Sequence, residues 1–150
     1  MPLPPFDPET GRLPLGIHEI TWEEVVDRFG WNRRRRELLD GLTDAIALLV
    51  NAGCSRIWLN GSFVTAKEEP GDFDAVWDMH GVDLDQLDAI FFNFEDGRRA
   101  QKERFRGEFL PNVVEKGSGL DFVEFFQQER DASKKGIVVM DLRRIFHDYE

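Results

Sequence analysis

The chain has 150 residues and a formal net charge of −10, from 19 Lys and Arg against 29 Asp and Glu. A hydrophobic fraction of 41%, with 13 Phe and 4 Trp, excludes an intrinsically disordered chain and predicts one domain with a sizeable core. The acidic charge argues against sequence-specific DNA binding, the single cysteine excludes an intramolecular disulfide, and no apolar run approaches membrane-spanning length.

The N-terminal segment is rich in proline. Five of the seven prolines fall in the first fourteen residues, so residues 1–18 are predicted to form an extended arm that lies on the domain. This segment lacks the basic region and the continuous apolar stretch of a signal peptide. Together with the lone thiol of Cys54, interpreted as packed and not nucleophilic, it predicts a cytoplasmic location.

Two helices are predicted after the arm. In "TWEEVVDRFG", Thr21 is an N-cap, Glu24 completes a capping box and Gly30 ends the helix. In "NRRRRELLDGLTDAIALLVNAG", apolar residues recur at helical spacing, Asn32 caps the start and Gly53 ends the helix. The second helix is expected to cover one face of a sheet.

Two strands are predicted in the middle of the chain. "SRIWLN" leads to Gly61, and "DFDAVWDM" alternates, with Asp72, Asp74 and Asp78 on one face and aromatic residues on the other. The aromatic face is expected to be core. The acidic face is not expected to be part of the core.

The remaining elements alternate in type. "VDLDQLDAIFFNF" is predicted to be a helix with Asp83 and Gln86 as a capping pair, and "DGRRAQKERF" to continue or restart it. A strand in "EFLPNVV", a helix "LDFVEFFQQER" capped by Ser118 and a strand "KGIVVMDL" follow. The interleaved order predicts a mixed α/β (α+β) domain.

A Gly-Ser pair follows the first central strand. Gly61 lets the backbone approach a ligand closely, Ser62 supplies a hydroxyl, and a helix beginning at residues 62–67 would aim free N–H groups at the same place. That combination suits a phosphate. Lys67 is near enough to reach phosphate oxygens, or is a solvated loop side chain.

Asp72 and Asp74 occupy alternate positions of the second central strand. Their Cα atoms are expected to lie roughly 6 to 7 Å apart on one face, close enough to hold one or two hard divalent cations. Oxygen ligands favour Mg²⁺ or Mn²⁺. Such ions bridge triphosphate oxygens and neutralise a leaving pyrophosphate, which is the chemistry of nucleotidyl transfer.

The apolar strand, Gly61-Ser62, and then Asp72 and Asp74 on a second strand together resemble the signature of the nucleotidyltransferase superfamily, which includes DNA polymerase beta and the minimal nucleotidyltransferases. Over nearly its whole length, the chain is also similar to a family of small uncharacterised bacterial nucleotidyltransferase-like proteins. The segments that carry this similarity are "LPLGIHEITWEEVVDRFG", "GSFVTAKEEPGDFDAVWD" and "KGIVVMDL". That wider similarity brings no established substrate.

The superfamily resemblance implies a small mixed β-sheet flanked by helices, Ser62 at the nucleotide phosphates, and Asp72 and Asp74 as metal ligands. It also implies a third carboxylate on a later strand, which activates the acceptor hydroxyl. Glu108 comes at about the position in the chain where this carboxylate is expected. Asp141, in "VVMDL", comes late but has the local sequence that better matches an aspartate on an apolar strand. Glu108 is favoured over Asp141, and Asp121 is assigned to a helical first turn.

Two basic runs raise the question of a bound anion. "RRRR" at 33–36 is interpreted as a solvated first turn of a helix, in preference to an RNA or phosphate patch, because consecutive residues spread around a helix. "GRRAQKERFR" at 97–106 is the densest basic stretch. It is interpreted as the solvent-facing side of a helix, with contact to a triphosphate or an acidic partner as the alternative.

Two functions are compatible with these patterns. The first is a Mg²⁺-dependent enzyme that transfers a nucleoside monophosphate from an NTP to a hydroxyl of a protein, an RNA end or a small molecule, with Glu108 as the third ligand or base. The second is a catalytically weak or inactive binding module of the same fold, such as an antitoxin-like protein that presents an acidic surface to a basic partner.

Overall fold

The structure is a computed structural model and describes residues 3–113 and 136–144. These ranges contain eight regular elements: β1 (Gly16–Glu19), α1 (Trp22–Phe29), α2 (Arg33–Asn51), β2 (Arg56–Asn60), β3 (Phe73–Trp77), α3 (Glu95–Phe105), β4 (Gly107–Pro111) and β5 (Gly136–Asp141). The predicted α/β class is confirmed. The predicted helix "LDFVEFFQQER" with its cap Ser118, and also Asp121, lie outside the described residues.

The strands form one mixed sheet in the order β1-β5-β2-β3-β4. β2 runs antiparallel to both β5 and β3, whereas β1 is parallel to β5 and β4 is parallel to β3. A small mixed sheet flanked by helices is therefore what the chain forms. No helix of the described ranges is long and apolar enough to cross a membrane.

One face of the sheet packs on the helices. Phe73 and Trp77 of β3 are fully buried in the same core as Leu42 of α2 and Phe105 of α3. The aromatic face of β3 is thus core, as predicted from its alternation. On the opposite face, Val76 of β3 lies in a smaller cluster with residues of β2 and β5.

The helix ends follow the local sequence signals. Thr21 Oγ1 accepts a hydrogen bond from the Glu24 amide at 3.2 Å, and the Glu24 carboxylate accepts one from the Thr21 amide at 3.1 Å. Asn32 Oδ1 accepts from the Arg35 amide at 2.9 Å. Gly53, just past the end of α2, has a φ of 97° that favours glycine.

The predicted helix "VDLDQLDAIFFNF" is wrong. Its residues form turns followed by a single 3₁₀ turn at Ala89–Phe92, and an α-helix begins only at α3. The reason is local competition: Asp83 Oδ1 accepts from the Asp85 amide at 3.0 Å, and Asp88 Oδ1 accepts from the Ile90 amide at 3.0 Å. These side-chain bonds give the backbone amides an alternative to the hydrogen bonds of an α-helix.

The predicted arm at 1–18 is too long by its last residues. Gly16–Glu19 forms β1 and pairs with Gly136–Val139 along the free edge of β5. An unpaired strand edge exposes a row of backbone donors and acceptors, so pairing with β1 satisfies them. The residues that precede β1 pack on the domain, with Leu13 buried in the main core.

Candidate functional site

Three oxygen-bearing side chains lie side by side on the face of the sheet opposite the main core. Asn60 of β2 pairs in register with Asp74 of β3, and Asp74 pairs with Glu108 of β4. Residues directly opposite on neighbouring strands project from the same face, with Cβ atoms about 4.5 to 5.5 Å apart. Two residues earlier on β2, Trp58 projects into the smaller cluster, which fixes the face that Asn60 shares.

The Gly-Ser turn lies against this row. Gly61 has φ 85° and ψ −170°, a conformation that is essentially restricted to glycine. A Cβ added to Gly61 would lie 2.6 Å from Oδ2 of Asp74, so a side chain here would displace the carboxylate. The predicted phosphate turn and the predicted metal strand are therefore in direct contact.

After Gly61 the chain makes one 3₁₀ turn, Ser62–Val64, and no α-helix. A helix beginning at 62–67 is therefore wrong. The carbonyls that a helix needs are already taken: Thr65 Oγ1 donates to the Ser62 carbonyl at 2.6 Å, and Arg35 binds the carbonyls of Phe63 and Thr65. A 3₁₀ turn also leaves its first amides without partners inside the turn.

Arg35 holds this loop from α2. Its guanidinium is fully buried and donates to the carbonyls of Phe29, Phe63, Thr65 and Lys67, at distances between 2.6 and 3.1 Å. It lies 3.7 Å from the ring centroid of Trp31, and burial lowers its pKa to about 10. The interpretation of "RRRR" as a solvated turn is wrong for this residue.

Arg34 holds the other end of the loop. Its side chain donates to the carbonyls of Pro70, at 3.1 Å, and of Gly71, immediately before Asp72. The other two arginines of the run, Arg33 and Arg36, are exposed. The loop that joins the Gly-Ser turn to β3 is thus fixed at both ends by neighbouring side chains of one helix.

Asp72 immediately precedes β3, which begins at Phe73, so its predicted place within the strand is wrong. It is half-buried and surrounded by charge. Burial, and then the carboxylate of Glu108, raise the pKa of the Asp72 carboxyl above its ordinary value. Positive charges on Lys102, Arg34 and Lys67 lower it. These cations come from α3, α2 and the loop, so three separate elements bring positive charge near Asp72.

Glu108 is held by two cations of the second basic run. Lys102 Nζ lies 2.8 Å from one carboxylate oxygen and Arg98 lies 3.2 Å from the other. Burial opposes ionisation of Glu108, but the two cations outweigh it and hold its pKa below the ordinary value. The basic run therefore turns part of its charge to the site and not wholly to solvent.

The start of α3 has an unusual backbone. Asp96, Gly97 and Arg98 have φ values of 50°, 65° and 65°, in the left-handed region. A non-glycine residue there costs roughly 1 kcal/mol or more. The kink places Arg98 next to Glu108. In the next turn, Oε1 of the buried Gln101 accepts a hydrogen bond from the Phe109 amide at 2.7 Å, which fixes α3 on β4.

Asp141 lies away from the row. It is the last residue of β5 and pairs with Arg56, at the opposite end of β2 from Asn60. Arg56 and Asn60 are four positions apart, about 13 Å along a strand. The Asp141 carboxylate lies 2.7 Å from Arg143. Of the two candidates for a third carboxylate, the fold brings only Glu108 beside Asp74.

The donors at the row suit a hard cation. They are carboxylate and amide oxygens, the ligands of Mg²⁺ and Mn²⁺. Among residues 3–113 and 136–144, however, no group of three or more His, Cys, Asp or Glu side chains is arranged to hold a metal ion. Asn60, which sequence reasoning missed, is 2% exposed, and its Oδ1 lacks a hydrogen-bond partner in the described part of the chain.

A family model described as "Family of unknown function (DUF6932)" matches residues 4–141 of the chain. The match covers most of the 150 residues, so the chain belongs to this family. No curated protein and no solved structure matches the chain significantly.

Proposed function

We propose that this member of the DUF6932 family is a metal-dependent nucleotidyltransferase, which moves a nucleoside monophosphate from an NTP to a hydroxyl acceptor. The observation that carries the proposal is the contact between the Gly61 turn and the Asp74 carboxylate, where a Cβ would be 2.6 Å from Oδ2. A phosphate turn and a metal-binding strand are useful together only when they touch the same ligand. Glu108 on the next strand completes the constellation.

Ser62 and the amides of its turn bind the triphosphate. Lys67 and Arg34 add positive charge on the same side, close enough to Asp72 to lower its pKa. Fixed donors and cations of this kind stabilise charge that develops on phosphate oxygens. They give a polyanionic substrate local positive charge on a chain whose net charge is −10.

Asp72 and Asp74 hold the divalent cation. A bound Mg²⁺ or Mn²⁺ supplies Lewis-acid stabilisation of the triphosphate and of the leaving pyrophosphate. The acceptor oxygen forms a bond to the α-phosphorus, while the bond from that phosphorus to the oxygen bridging to the β-phosphate breaks. Pyrophosphate leaves with the electron pair, and Glu108 receives the hydroxyl proton.

Glu108 must be released before it acts as a base. Its ion pairs with Lys102 and Arg98 lower its pKa, and a carboxylate with a low pKa is a weak proton acceptor. An incoming triphosphate competes for both cations because phosphate oxygens are strong acceptors for them. Substrate binding and activation of the base are thereby linked.

The test is transfer of label from α-labelled ATP, GTP, CTP and UTP, with Mn²⁺ or Mg²⁺, to the protein, RNA and small-molecule fractions of a cell extract. Asp72→Ala and Asp74→Ala are expected to lower incorporation at least about 100-fold. Glu108→Gln is expected to lower it as well. The matched control is Asp78→Ala, which removes an aspartate from the same alternating series beyond the far end of β3. Equal labelling by wild type and Asp74→Ala would refute the assignment.

The ion pairs on Glu108 favour a second candidate, a binding module of this fold in which chemistry is weak or lost. A carboxylate kept by two cations no longer completes a three-acid set. In that case the acidic surface binds a basic protein, as an antitoxin-like partner in the cytoplasm would. Calorimetry separates the two: Mg²⁺-dependent NTP binding that is lost in Asp74→Ala supports the enzyme, whereas tight binding of a basic partner without nucleotide supports the module.

A further inference from the structure

Asn60 is a buried polar residue at the centre of the site. It is 2% exposed, and its Oδ1 has no hydrogen-bond partner within the described ranges. Its neighbour across the sheet is Asp74, whose Oδ2 lies against Gly61, the residue that follows Asn60. The amide oxygen and the carboxylate are therefore on one face, next to the same turn.

An unsatisfied buried acceptor costs about 1 to 3 kcal/mol. A leucine has the same branched shape and the same number of side-chain heavy atoms as an asparagine, and would avoid this cost on a face that already carries Trp58 and Val76. The Asn60 oxygen and the Asp74 carboxylate beside it are both acceptors. Two neighbouring acceptors are complementary to a hydrogen-bond donor or to a cation. Amide carbonyl oxygens are regular ligands of hard divalent cations.

We infer that Asn60 supplies a third oxygen ligand, beside Asp72 and Asp74, for the divalent cation of this site. The inference rests on the proposed function and deepens it. It assigns the third position to a neutral oxygen on β2, and it leaves Glu108, which Lys102 and Arg98 hold, for proton transfer. The metal set then has two negative charges and one amide oxygen.

The test is Mn²⁺ binding to the full chain without nucleotide, followed by electron paramagnetic resonance and by calorimetry. In Asn60→Leu the Kd for Mn²⁺ is expected to rise at least about tenfold, because even residues that only support a ligand cost 10- to 100-fold when replaced. Asn60→Asp keeps an oxygen and adds charge, so it is expected to bind at least as tightly as wild type. The control is Asn51→Leu, at the exposed end of α2.

Thermal unfolding provides a second readout. Without metal, Asn60→Leu is expected to keep or raise the wild-type Tm, because it removes an unsatisfied acceptor. With Mn²⁺, it is expected to lose the rise in Tm that wild type shows. If Asn60→Leu does not fold, Asn60→Asp decides alone: weaker Mn²⁺ binding than wild type would overturn the inference.

The outcomes separate this inference from the proposed function. Mn²⁺ binding that is lost in Asp74→Ala but unchanged, within about twofold, in Asn60→Leu overturns the role of Asn60 and leaves the enzyme proposal standing. A wild-type protein that binds no Mn²⁺, with or without a non-hydrolysable NTP, overturns both.

Discussion

Replacing Arg35 by alanine tests whether one buried side chain organises the loop between the two halves of the site. The side chain is fully buried and donates to five backbone carbonyls: that of Ser62 at 3.5 Å, and, at shorter distances, those of Phe29, Phe63, Thr65 and Lys67. Alanine removes all of these bonds and leaves a cavity beneath the loop.

The magnitude follows from the bonds that are lost. The Arg35 bonds to the Phe29 and Phe63 carbonyls are buried, and each orphaned acceptor costs about 1 to 3 kcal/mol. The bonds to Thr65 and Lys67 are partly buried, so water replaces them at lower cost. The expected loss in the free energy of unfolding is therefore about 3 to 5 kcal/mol, a large fraction of a domain's stability.

Urea denaturation measures this loss, with Arg36→Ala as the control. Arg36 is the next residue of the same helix and is exposed, so its replacement is expected to change stability by no more than about 0.5 kcal/mol. Binding of the NTP in the proposed function would add a readout at the site, because a loosened loop misplaces Ser62 and Lys67. Equal midpoints for Arg35→Ala and Arg36→Ala would refute the role given to the buried guanidinium.

Two further predictions concern packing and the thiol. Gly41 of α2 has no room for a Cβ against the backbone carbonyl of Phe105. Gly41→Ala is therefore expected to lower the free energy of unfolding by about 1 to 3 kcal/mol, despite the better helix propensity of alanine. A more stable variant in urea denaturation would contradict this. Cys54 is buried, and burial raises the pKa of its thiol. Labelling by a disulfide reagent near pH 8 is therefore expected to be at least about 100-fold slower in the folded protein than in urea, and its rate to increase as the pH rises. Labelling at the unfolded rate would show that the thiol is accessible.

Local signals in the sequence predicted the elements whose stabilising groups are close in the chain. The capping box at Thr21 and Glu24 and the cap at Asn32 form as expected, because each side chain bonds an amide three residues away. The same rule explains the failure at 83–94. There Asp83 and Asp88 bond amides two residues ahead, which competes with a helix.

Long-range contacts could not be predicted in this way. The burial of Arg35 depends on the Lys67 carbonyl, 32 residues further along the chain. Its one local signal is the helical spacing that puts it, unlike Arg36, on the same face as Leu38 and Leu42. Asn60 is similar, because its place beside Asp74 follows from the register of β2 and β3. The one usable signal is its position two residues after Trp58, on the same face of a strand that ends immediately before Gly61.

The chain is acidic overall, but several cations lie beside the carboxylates of this site, and distance decides which charges act on a ligand. At physiological ionic strength the Debye length is about 8 Å, so most of the surface charge behind the −10 total is screened from a bound nucleotide. Lys102 and Lys67 are close enough to Asp72 to lower its pKa, and Lys102 also contacts Glu108. The triphosphate of the proposed function would therefore meet Lys102 and Lys67 before it meets the distant acidic residues, while the acidic exterior disfavours the non-specific binding of nucleic acid. This distribution of charge favours a small anion over a long one, which is the selectivity that the proposed nucleotide site requires.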